Sequence, residues 1–271
     1  MTVVVKIGGA RAVDPAGALA DVADVEEDVV VVHGGSTAVD ELLDRLDIEP
    51  TYVETPDGVV GRFTDAETMS AFTMAMGEVN SDLVAGLQNE GVDAVGLSGV
   101  DGQLLSGSRK SAVRVVEDGT KKIKRGDHSG SIRAVNADLL ETLLDGYVPV
   151  VGPPMLGDDD GEWVAVNSDA DRAAAAIAGA LDASLVVLTD VPGLLRDVDD
   201  TDSLIDRVDS PDALREARTA AEGFMGKKVM AAEEALEGGA TQVVVASANT
   251  DAPIGAALSG AGTTFTPDCI S

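Results

Sequence analysis

The sequence has few cysteines, few aromatic residues and few basic residues. Its single cysteine, Cys269, excludes an intrachain disulfide and a zinc site built from cysteines. Nineteen basic residues against 48 acidic ones give a formal charge of −29, and such a field repels nucleic acid and anionic membranes. No apolar run approaches the roughly 18 residues of a membrane span, and the first residues lack the basic start of a secretory signal. We therefore expect a cytoplasmic protein that binds neither nucleic acid nor membrane.

Hydrophobic residues nevertheless make up 45% of the 271 residues, enough to build a large core. Short runs of valine, leucine and isoleucine alternate with helical patterns along the whole chain. Strands that are apolar throughout are typical of a mostly parallel sheet covered by helices on both faces, so the sequence predicts a three-layer α/β/α sandwich. We expect one domain with an N-terminal lobe over about 1–155, a C-terminal lobe over about 156–271, and the ligand beyond the carboxyl ends of the strands.

Several segments carry more specific expectations. A helix over 36–46 is predicted with Ser36 as its cap, and residues 51–62 form a hairpin around a Pro-Asp-Gly turn. Residues 103–133 alternate in short runs separated by turn residues, which indicates an antiparallel hairpin at the edge of the sheet. The acidic run 157–162 is predicted to be a linker.

Three glycine-rich turns each follow an apolar strand, at 6–9, 33–36 and 96–102. Such a turn serves close packing more often than binding, but three on one side of a sheet favour an anionic ligand. Lys6 stands directly before one of them, at the end of a buried strand, where an ammonium group costs desolvation unless an anion is near. A second glycine-bounded lysine pair occurs in the run GFMGKK over 223–228.

A helix is predicted over 167–181, and the four-residue spacing of Asn167 and Asp171 would place both side chains on one helix face. Each also has a purely structural interpretation, since Asn167 can cap the helix and Asp171 can be stabilised by its dipole. His33 is interpreted as a packing residue at a strand end.

Taken together, six motifs resemble the amino acid kinase family, specifically its acetylglutamate-kinase-like members, over essentially the whole chain. They are VVKIGG, VVHGG, GRFTD, VNSDAD, LTDVPGLL and GFMGKK, in this order. Residues 62–68, 94–110 and 121–136 are most similar to archaeal members that act on glutamate or 2-aminoadipate linked to the carrier protein LysW. The resemblance implies the carbamate-kinase-like fold and transfer of a phosphoryl group from ATP to a side-chain carboxylate.

The resemblance also implies catalytic roles. Lys6 and Lys228 match the lysines that hold the transferring phosphoryl group, and Asp171 matches the carboxylate that orients both. The spacing around the second lysine departs from the usual family pattern, so Lys227 is a competitor to Lys228. The role of Asp169 stays open.

The remaining predicted site residues bind substrate or ATP. Arg62 matches the arginine that holds the substrate α-carboxylate, Asn167 the residue that contacts the amino-acid moiety, and Asp190 the nucleoside pocket. The backbone donors to phosphates and substrate match Gly8, Gly9, Gly34 and Gly35. No protein cluster of metal ligands is expected, and Mg²⁺ would be held mainly by ATP oxygens and water.

The segment 109–133 holds eight basic residues and three acidic ones, in a chain that is otherwise strongly acidic. It could neutralise neighbouring acids, or it could bind an acidic partner such as the carrier protein. The expected docking residues are Arg109, Lys110, Lys121, Lys122, Lys124 and Arg125. Open alternatives are a free N-acetylglutamate kinase and a non-catalytic nucleotide sensor. In the resembling family, arginine-inhibited enzymes carry an extra N-terminal helix that links dimers into hexamers. Because the first strand here starts by residue 2 or 3, the resemblance implies a homodimer that arginine does not inhibit.

Aspartate outnumbers glutamate by 32 to 16 and lysine occurs only seven times, a balance that favours a surface working in molar salt. At about 1 M salt the Debye length shrinks to about 3 Å, which removes most of the repulsion among surface carboxylates. We predict that the melting temperature rises between low salt and about 3 M KCl for this reason. A melting temperature that stays constant over this range, measured by circular dichroism, would contradict the expectation.

Overall fold

The computed structural model describes residues 1–8, 15–56, 60–117, 119–221 and 224–271. Gly9, most of the predicted turn at 56–58 and Gly223 lie outside these residues. Every structural statement below concerns the described part of the chain.

Eleven strands form one sheet, in the order β11-β13-β12-β10-β1-β2-β8-β6-β7, with β5 and β9 also paired to β8. The pairs β1–β2, β1–β10, β10–β12, β2–β8, β5–β8, β6–β8 and β11–β13 are parallel. The strands of this sheet are β1 (Thr2–Ile7), β2 (Asp28–His33), β5 (Ala94–Gly99), β6 (Leu105–Glu117), β7 (Thr120–Val135), β8 (Val148–Asp159), β9 (Glu162–Val166), β10 (Ser184–Thr189), β11 (Arg207–Val208), β12 (Gln242–Ser247) and β13 (Thr263–Phe265). The prediction of a mostly parallel sheet is therefore confirmed.

Helices cover both faces of this sheet. They are α1 (Ala16–Asp24), α2 (Ser36–Arg45), α3 (Ala66–Asn89), α4 (Ala137–Leu144), α5 (Ala170–Ala180), α6 (Pro211–Ala220), α7 (Phe224–Glu237) and α8 (Pro253–Leu258). Because side chains alternate across a strand, Val3 and Val5 of β1 pack in one core with α1, α3 and α8. Val4 packs in the other core with α4, α5, α6 and α7. The three-layer α/β/α architecture predicted from the apolar strands is confirmed.

The two predicted hairpins are also present. Strands β3 (Tyr52–Glu54) and β4 (Val60–Arg62) pair antiparallel in a separate small sheet. Strands β6 and β7 form a long antiparallel ribbon that ends the large sheet, as the alternation over 103–133 predicts. Among the described residues no helix has both the length and the apolar composition needed to cross a bilayer.

Three local predictions were wrong. Helix α2 begins at Ser36 itself, with Gly35 at the cap position and no side-chain cap. Residues 157–162 are not a linker, because β8 and β9 continue through them as an antiparallel hairpin. The helix predicted over 167–181 begins only at Ala170, so Asn167 and Asp171 do not share a helix face. The cap is Asp169, which accepts hydrogen bonds from the backbone N–H groups of Asp171 and Arg172.

His33 lies at the end of β2 and is 1% exposed. Burial lowers the pKa of its imidazole, although the carbonyl of Gly34 works in the opposite direction. Its Nε2 lies 3.1 Å from the side-chain amide of Asn80, which also donates to the carbonyl of Val150. The residue is a packing element between α3 and the sheet, in agreement with its interpretation from sequence.

Candidate active site

A cavity of about 1310 Å³ opens at the carboxyl ends of the central parallel strands. Parallel strands bring their carboxyl ends to one edge, and the residues that follow them meet there. The described residues with predicted roles that line the cavity are Lys6, Gly8, Gly34, Gly35, Arg62, Asn167, Asp171, Asp190, Lys227 and Lys228. Residues predicted to act together from six distant motifs therefore share one cavity.

A buried ion-pair cluster lies at the centre of this cavity. Lys6 Nζ lies 2.6 Å from Asp171 Oδ1, and Lys228 Nζ lies 3.8 Å from Asp171 Oδ2. The three side chains are 8%, 10% and 13% exposed, for Lys6, Asp171 and Lys228 respectively. Asp171 Oδ1 is outside hydrogen-bonding geometry toward any donor, so its short contact with Lys6 is an ion pair. One carboxylate thus holds two ammonium groups near each other.

The pKa values of Asp171 and Lys228 are both shifted in this cluster. Burial works to raise the pKa of Asp171, but the positive charges of Lys6 and Lys228 outweigh it, and the net shift is downward. The pKa of Lys228 is lowered, first by burial and then by the charge of Lys6, against the attraction of Asp171. Asp171 is therefore ionised at neutral pH, and the protonated form of Lys228 is disfavoured by its surroundings.

Three elements bring this cluster together. Lys6 is near the end of the central strand β1, Asp171 is in the first turn of α5, and Lys228 is in the first turns of α7. Lys227 also lines the cavity, and its charge contributes to the lowered pKa of Asp171. Lys228 is in ion-pair contact with the carboxylate.

Arg62 enters the cavity from the small hairpin. Its Nη2 donates to Asp40 Oδ1 at 2.5 Å and to the carbonyl of Ser36 at 3.2 Å. Tyr52 also donates to Asp40 Oδ1, at 3.0 Å, so Asp40 holds the hairpin against α2. Arg62 Nε is buried without a hydrogen-bond partner, so one donor of the guanidinium is unsatisfied.

Asn167 lies between β9 and α5, outside the helix. Its side-chain amide donates to Thr64 Oγ1 at 3.1 Å. Its backbone N–H donates to the carbonyl of His128, and its carbonyl accepts from the N–H of Gly130. The amide is therefore fixed by two segments that the sequence reasoning did not connect with it.

The predicted glycines differ in what the structure says of them. Gly8, Gly34 and Gly35 line the cavity, whereas Gly9 lies outside the described residues. A Cβ atom at Gly35 would come within 2.4 Å of Met76 Cε, so a larger residue there would fit only if the flexible end of Met76 moved. The packing and binding interpretations of this turn are compatible.

Two acidic residues that hold parts of the site in place were not predicted from the sequence. Asp40 has the spacing of an ordinary surface residue of α2, and no signal marks it. Asp127 stands alone among basic residues in the run KKIKRGDHSGS, and this isolation is a signal that could have been used. Among the described residues no group of three or more histidine, cysteine or carboxylate side chains could hold a metal ion.

Comparison with known proteins extends these observations. Residues 1–247 match the amino acid kinase family. A [LysW]-aminoadipate kinase of Deinococcus radiodurans is 44% identical over 267 residues, which cover 96% of this chain and 90% of the relative. An acetylglutamate kinase of Methanopyrus kandleri is 43% identical over 246 residues, covering 89% of this chain and 93% of the relative.

Among solved structures, an N-acetylglutamate synthase from Neisseria gonorrhoeae complexed with coenzyme A and N-acetyl-glutamate superposes with a TM-score of 0.74 at 26% identity. The match covers 98% of this chain and 59% of the synthase chain. The present chain therefore corresponds to about three fifths of that larger protein.

The ion-pair cluster predicts opposite effects of two lysine substitutions on stability. Lys6→Met removes the direct partner of Asp171 and leaves a buried carboxylate poorly compensated, which costs about 3–5 kcal/mol. Lys228→Met should leave the melting temperature unchanged or raise it, because the folded state disfavours that lysine's charge. Thermal unfolding of both variants in one buffer measures the difference, and a larger loss for Lys228→Met would show that the cluster is described wrongly.

Proposed function

The chain belongs to the amino acid kinase family, and from this premise we propose that it phosphorylates the side-chain carboxylate of carrier-linked glutamate or 2-aminoadipate. As a member of this family it is a phosphotransferase with a carboxyl group as acceptor, and ATP is its phosphoryl donor. The product is an acyl phosphate, as arginine or lysine biosynthesis requires. The observation that carries the proposal is the buried cluster of two lysines on one carboxylate, open to a large cavity.

The chemistry requires no general base. A side-chain carboxylate, with an ordinary pKa of about 4.3, is already ionised and nucleophilic at neutral pH. Its oxygen attacks the γ-phosphorus of ATP while the bond from that phosphorus to the β-phosphate oxygen breaks, and ADP leaves without proton transfer to the protein. The protein's task is to align the two substrates and to stabilise negative charge on the transferring group.

Lys6 and Lys228 are the residues that supply this charge. Both ammonium groups contact the same carboxylate, so their separation is fixed before substrate binds. The lowered pKa of Asp171 keeps it anionic, so it orients the lysines without competing for their protons. Such preorganised charge in a water-poor site is the main contribution that a protein can make to phosphoryl transfer.

On the acceptor side, Arg62 would bind the α-carboxylate and Asn167 would contact the amino-acid moiety. The unpartnered Nε of Arg62 and the fixed amide of Asn167 support these roles. Asp40 keeps Arg62 turned toward the cavity and satisfies only part of its guanidinium.

Gly8, Lys227, Asp190, Gly34 and Gly35 all line the cavity. We assign the first three to ATP, and Gly34 and Gly35 to the acceptor substrate. The excess of positive over negative charge at the cluster suits a polyphosphate. Mg²⁺ would neutralise phosphate charge when bound. Because the described residues include no group of three or more histidine, cysteine or carboxylate side chains that could hold a metal, we propose that phosphate oxygens and water would hold the ion.

The ribbon of β6 and β7 is the proposed docking surface for an acidic carrier protein. Arg114 pairs directly with Ile123, and Lys121 and Arg125 extend from the same face, because paired residues of a ribbon share a face and side chains alternate. Arg114, Lys121 and Arg125 are exposed, and Ile123 is 65% exposed among them. An apolar residue surrounded by cations suits a partner that carries both carboxylates and an apolar side chain.

Three residues of the expected docking set have other or additional roles. The guanidinium of Arg109 is half-buried, pairs with Asp159 and donates to the carbonyl of Asp127, so we leave it out of the surface. Lys110 lines the cavity itself. Lys124 Nζ lies 4.4 Å from the centre of the Phe63 ring, beside Arg62, and joins the ribbon to the substrate hairpin.

A free N-acetylglutamate kinase is the second candidate, and the Methanopyrus relative of that name favours it. The two candidates share the phosphoryl-transfer site and differ in whether the ribbon binds a carrier. Assays of ATP turnover with N-acetylglutamate, carrier-linked glutamate and carrier-linked aminoadipate distinguish them. A non-catalytic sensor would turn over none of the three.

The cluster predicts large losses of activity. Lys6→Ala and Lys228→Ala should each lower kcat by about 10²-fold or more, through lost stabilisation of the transition state. Asp171→Asn should be comparably damaging while the protein stays folded, because the lysines lose their common anchor. Lys227→Ala tests which lysine of the pair acts, and the assignment to Lys228 is wrong if Lys227→Ala abolishes activity while Lys228→Ala does not.

The docking surface predicts a separate effect on KM. Changing Arg114, Lys121 and Arg125 to glutamate should raise KM for carrier-linked substrate by about tenfold or more, since paired charges in a contact are lost. KM for ATP should change little, because these residues are outside the cavity. The matched control changes Arg45, Arg207 and Arg215, which are also exposed and give the same change of charge. An unchanged carrier KM, or an equal rise in the control, would contradict docking at this face.

A further inference from the structure

Asp127 is a buried carboxylate within the basic ribbon, and it has no part in the phosphoryl-transfer cluster. It is 2% exposed. Its Oδ1 accepts from the backbone N–H of Thr64 at 3.2 Å, and its Oδ2 accepts from the N–H of Ser129 at 3.2 Å and from the Ser129 hydroxyl. One side chain therefore joins the ribbon to the segment that directly follows Arg62.

A second contact strengthens this junction. The N–H of His128 donates to the carbonyl of Thr64 at 2.7 Å. Both backbone groups of Thr64 are thus held by neighbouring residues of the ribbon, Asp127 and His128. Thr64 is itself 1% exposed, so its position is fixed on all sides.

Asn167 is held by the same two segments. Its side-chain amide donates to Thr64 Oγ1, and its backbone bonds to His128 and Gly130 of the ribbon. If Thr64 moves, its Oγ1, the hydrogen-bond acceptor that orients the Asn167 amide, moves with it. The hydrogen bonds from Asp127 through Thr64 to Asn167 form a continuous chain between the ribbon and the acceptor half of the cavity.

We infer that Asp127 is a positioning residue for the acceptor substrate, acting through Thr64 on Arg62 and Asn167. The inference rests on the proposed function, which makes those two residues the contacts of the amino-acid moiety. It also gives the ribbon a second role, because the element that would bind the carrier is hydrogen-bonded to the residues that align the carrier's substrate. A change in the ribbon near Asp127 is therefore expected to alter alignment as well as docking.

The test compares Asp127→Asn with Asp21→Asn. Asp21 is a matched control, since it is 6% exposed and also accepts two backbone N–H groups, but these belong to Ile254 and Gly255 of α8, which do not line the cavity. In Asp127→Asn one oxygen becomes an NH₂ group facing other donors, so part of the junction is lost. We expect KM for the acceptor substrate to rise and kcat to fall, so that kcat/KM falls about tenfold, because a small misplacement of the substrate slows the reaction. KM for ATP should stay within about twofold.

A second pair of variants protects the test against simple unfolding. Thr64→Val keeps the backbone contacts and volume but removes the hydroxyl that accepts from Asn167, and it should reproduce the KM and kcat signature. Thr64→Ser keeps the hydroxyl and should therefore retain the wild-type KM and kcat. The double variant Asp127→Asn/Thr64→Val should be less than additive, because both changes interrupt one chain of hydrogen bonds.

The inference is overturned if Asp127→Asn matches Asp21→Asn in acceptor kcat and KM, or if Thr64→Val is fully active. An inactive wild-type enzyme on all three acceptors would instead remove the proposed function. In that case, amide hydrogen exchange alone tests whether Asp127 holds Thr64 to the ribbon. Faster exchange at Thr64 and Ser129 in Asp127→Asn, but not in Asp21→Asn, supports it, and unchanged exchange refutes it.

Discussion

The ion pair between Lys6 and Asp171 is the interaction on which the arrangement of the site depends. It joins the central strand β1 to the start of α5, and Lys228 brings the start of α7 to the same carboxylate. A buried ion pair adds little to stability, because desolvation of both charges offsets their attraction. The retention of two ammonium groups beside one carboxylate is better explained by a need for fixed positive charge where an anion reacts.

The distribution of positive charge in this acidic chain is consistent with the same need for contact with anions. A chain of net charge −29 repels ATP and acidic partners over long distances unless salt screens its surface. The basic residues are concentrated in two places, the lysine cluster at the sheet edge and the segment 109–133, which holds eight of the 19. At high ionic strength such charges act mainly through direct contact, so their exact placement matters more than their sum.

Much of the fold and of the candidate site was predictable from the sequence, and the same physical reasons explain the local predictions that were wrong. Apolar runs such as Val3–Val5 define buried parallel strands, and a lysine at the end of such a run requires an anionic partner. Local rules failed where a long-range contact decided the outcome. Asn167 has the sequence features of a helix cap, but its side-chain amide donates to Thr64 and its backbone is hydrogen-bonded to the ribbon, outside the helix, and Asp169 caps instead. The sequence predicts Arg109 to be a surface cation, but its guanidinium forms an ion pair with Asp159, 50 residues away in the chain, and is partly buried.

The pH dependence of kcat/KM tests most directly whether two charged lysines on an ionised Asp171 carry the reaction. The lowered pKa of Asp171 predicts no loss of activity on the acidic side near neutral pH. Lys228 is protonated only below its lowered pKa, so activity should fall as pH rises, starting below the value of about 10.4 for an ordinary lysine. Arginine stays protonated throughout this range, so Lys228→Arg should move that fall to higher pH even if its maximal rate is reduced. The same alkaline fall in wild type and Lys228→Arg would contradict the central role of Lys228.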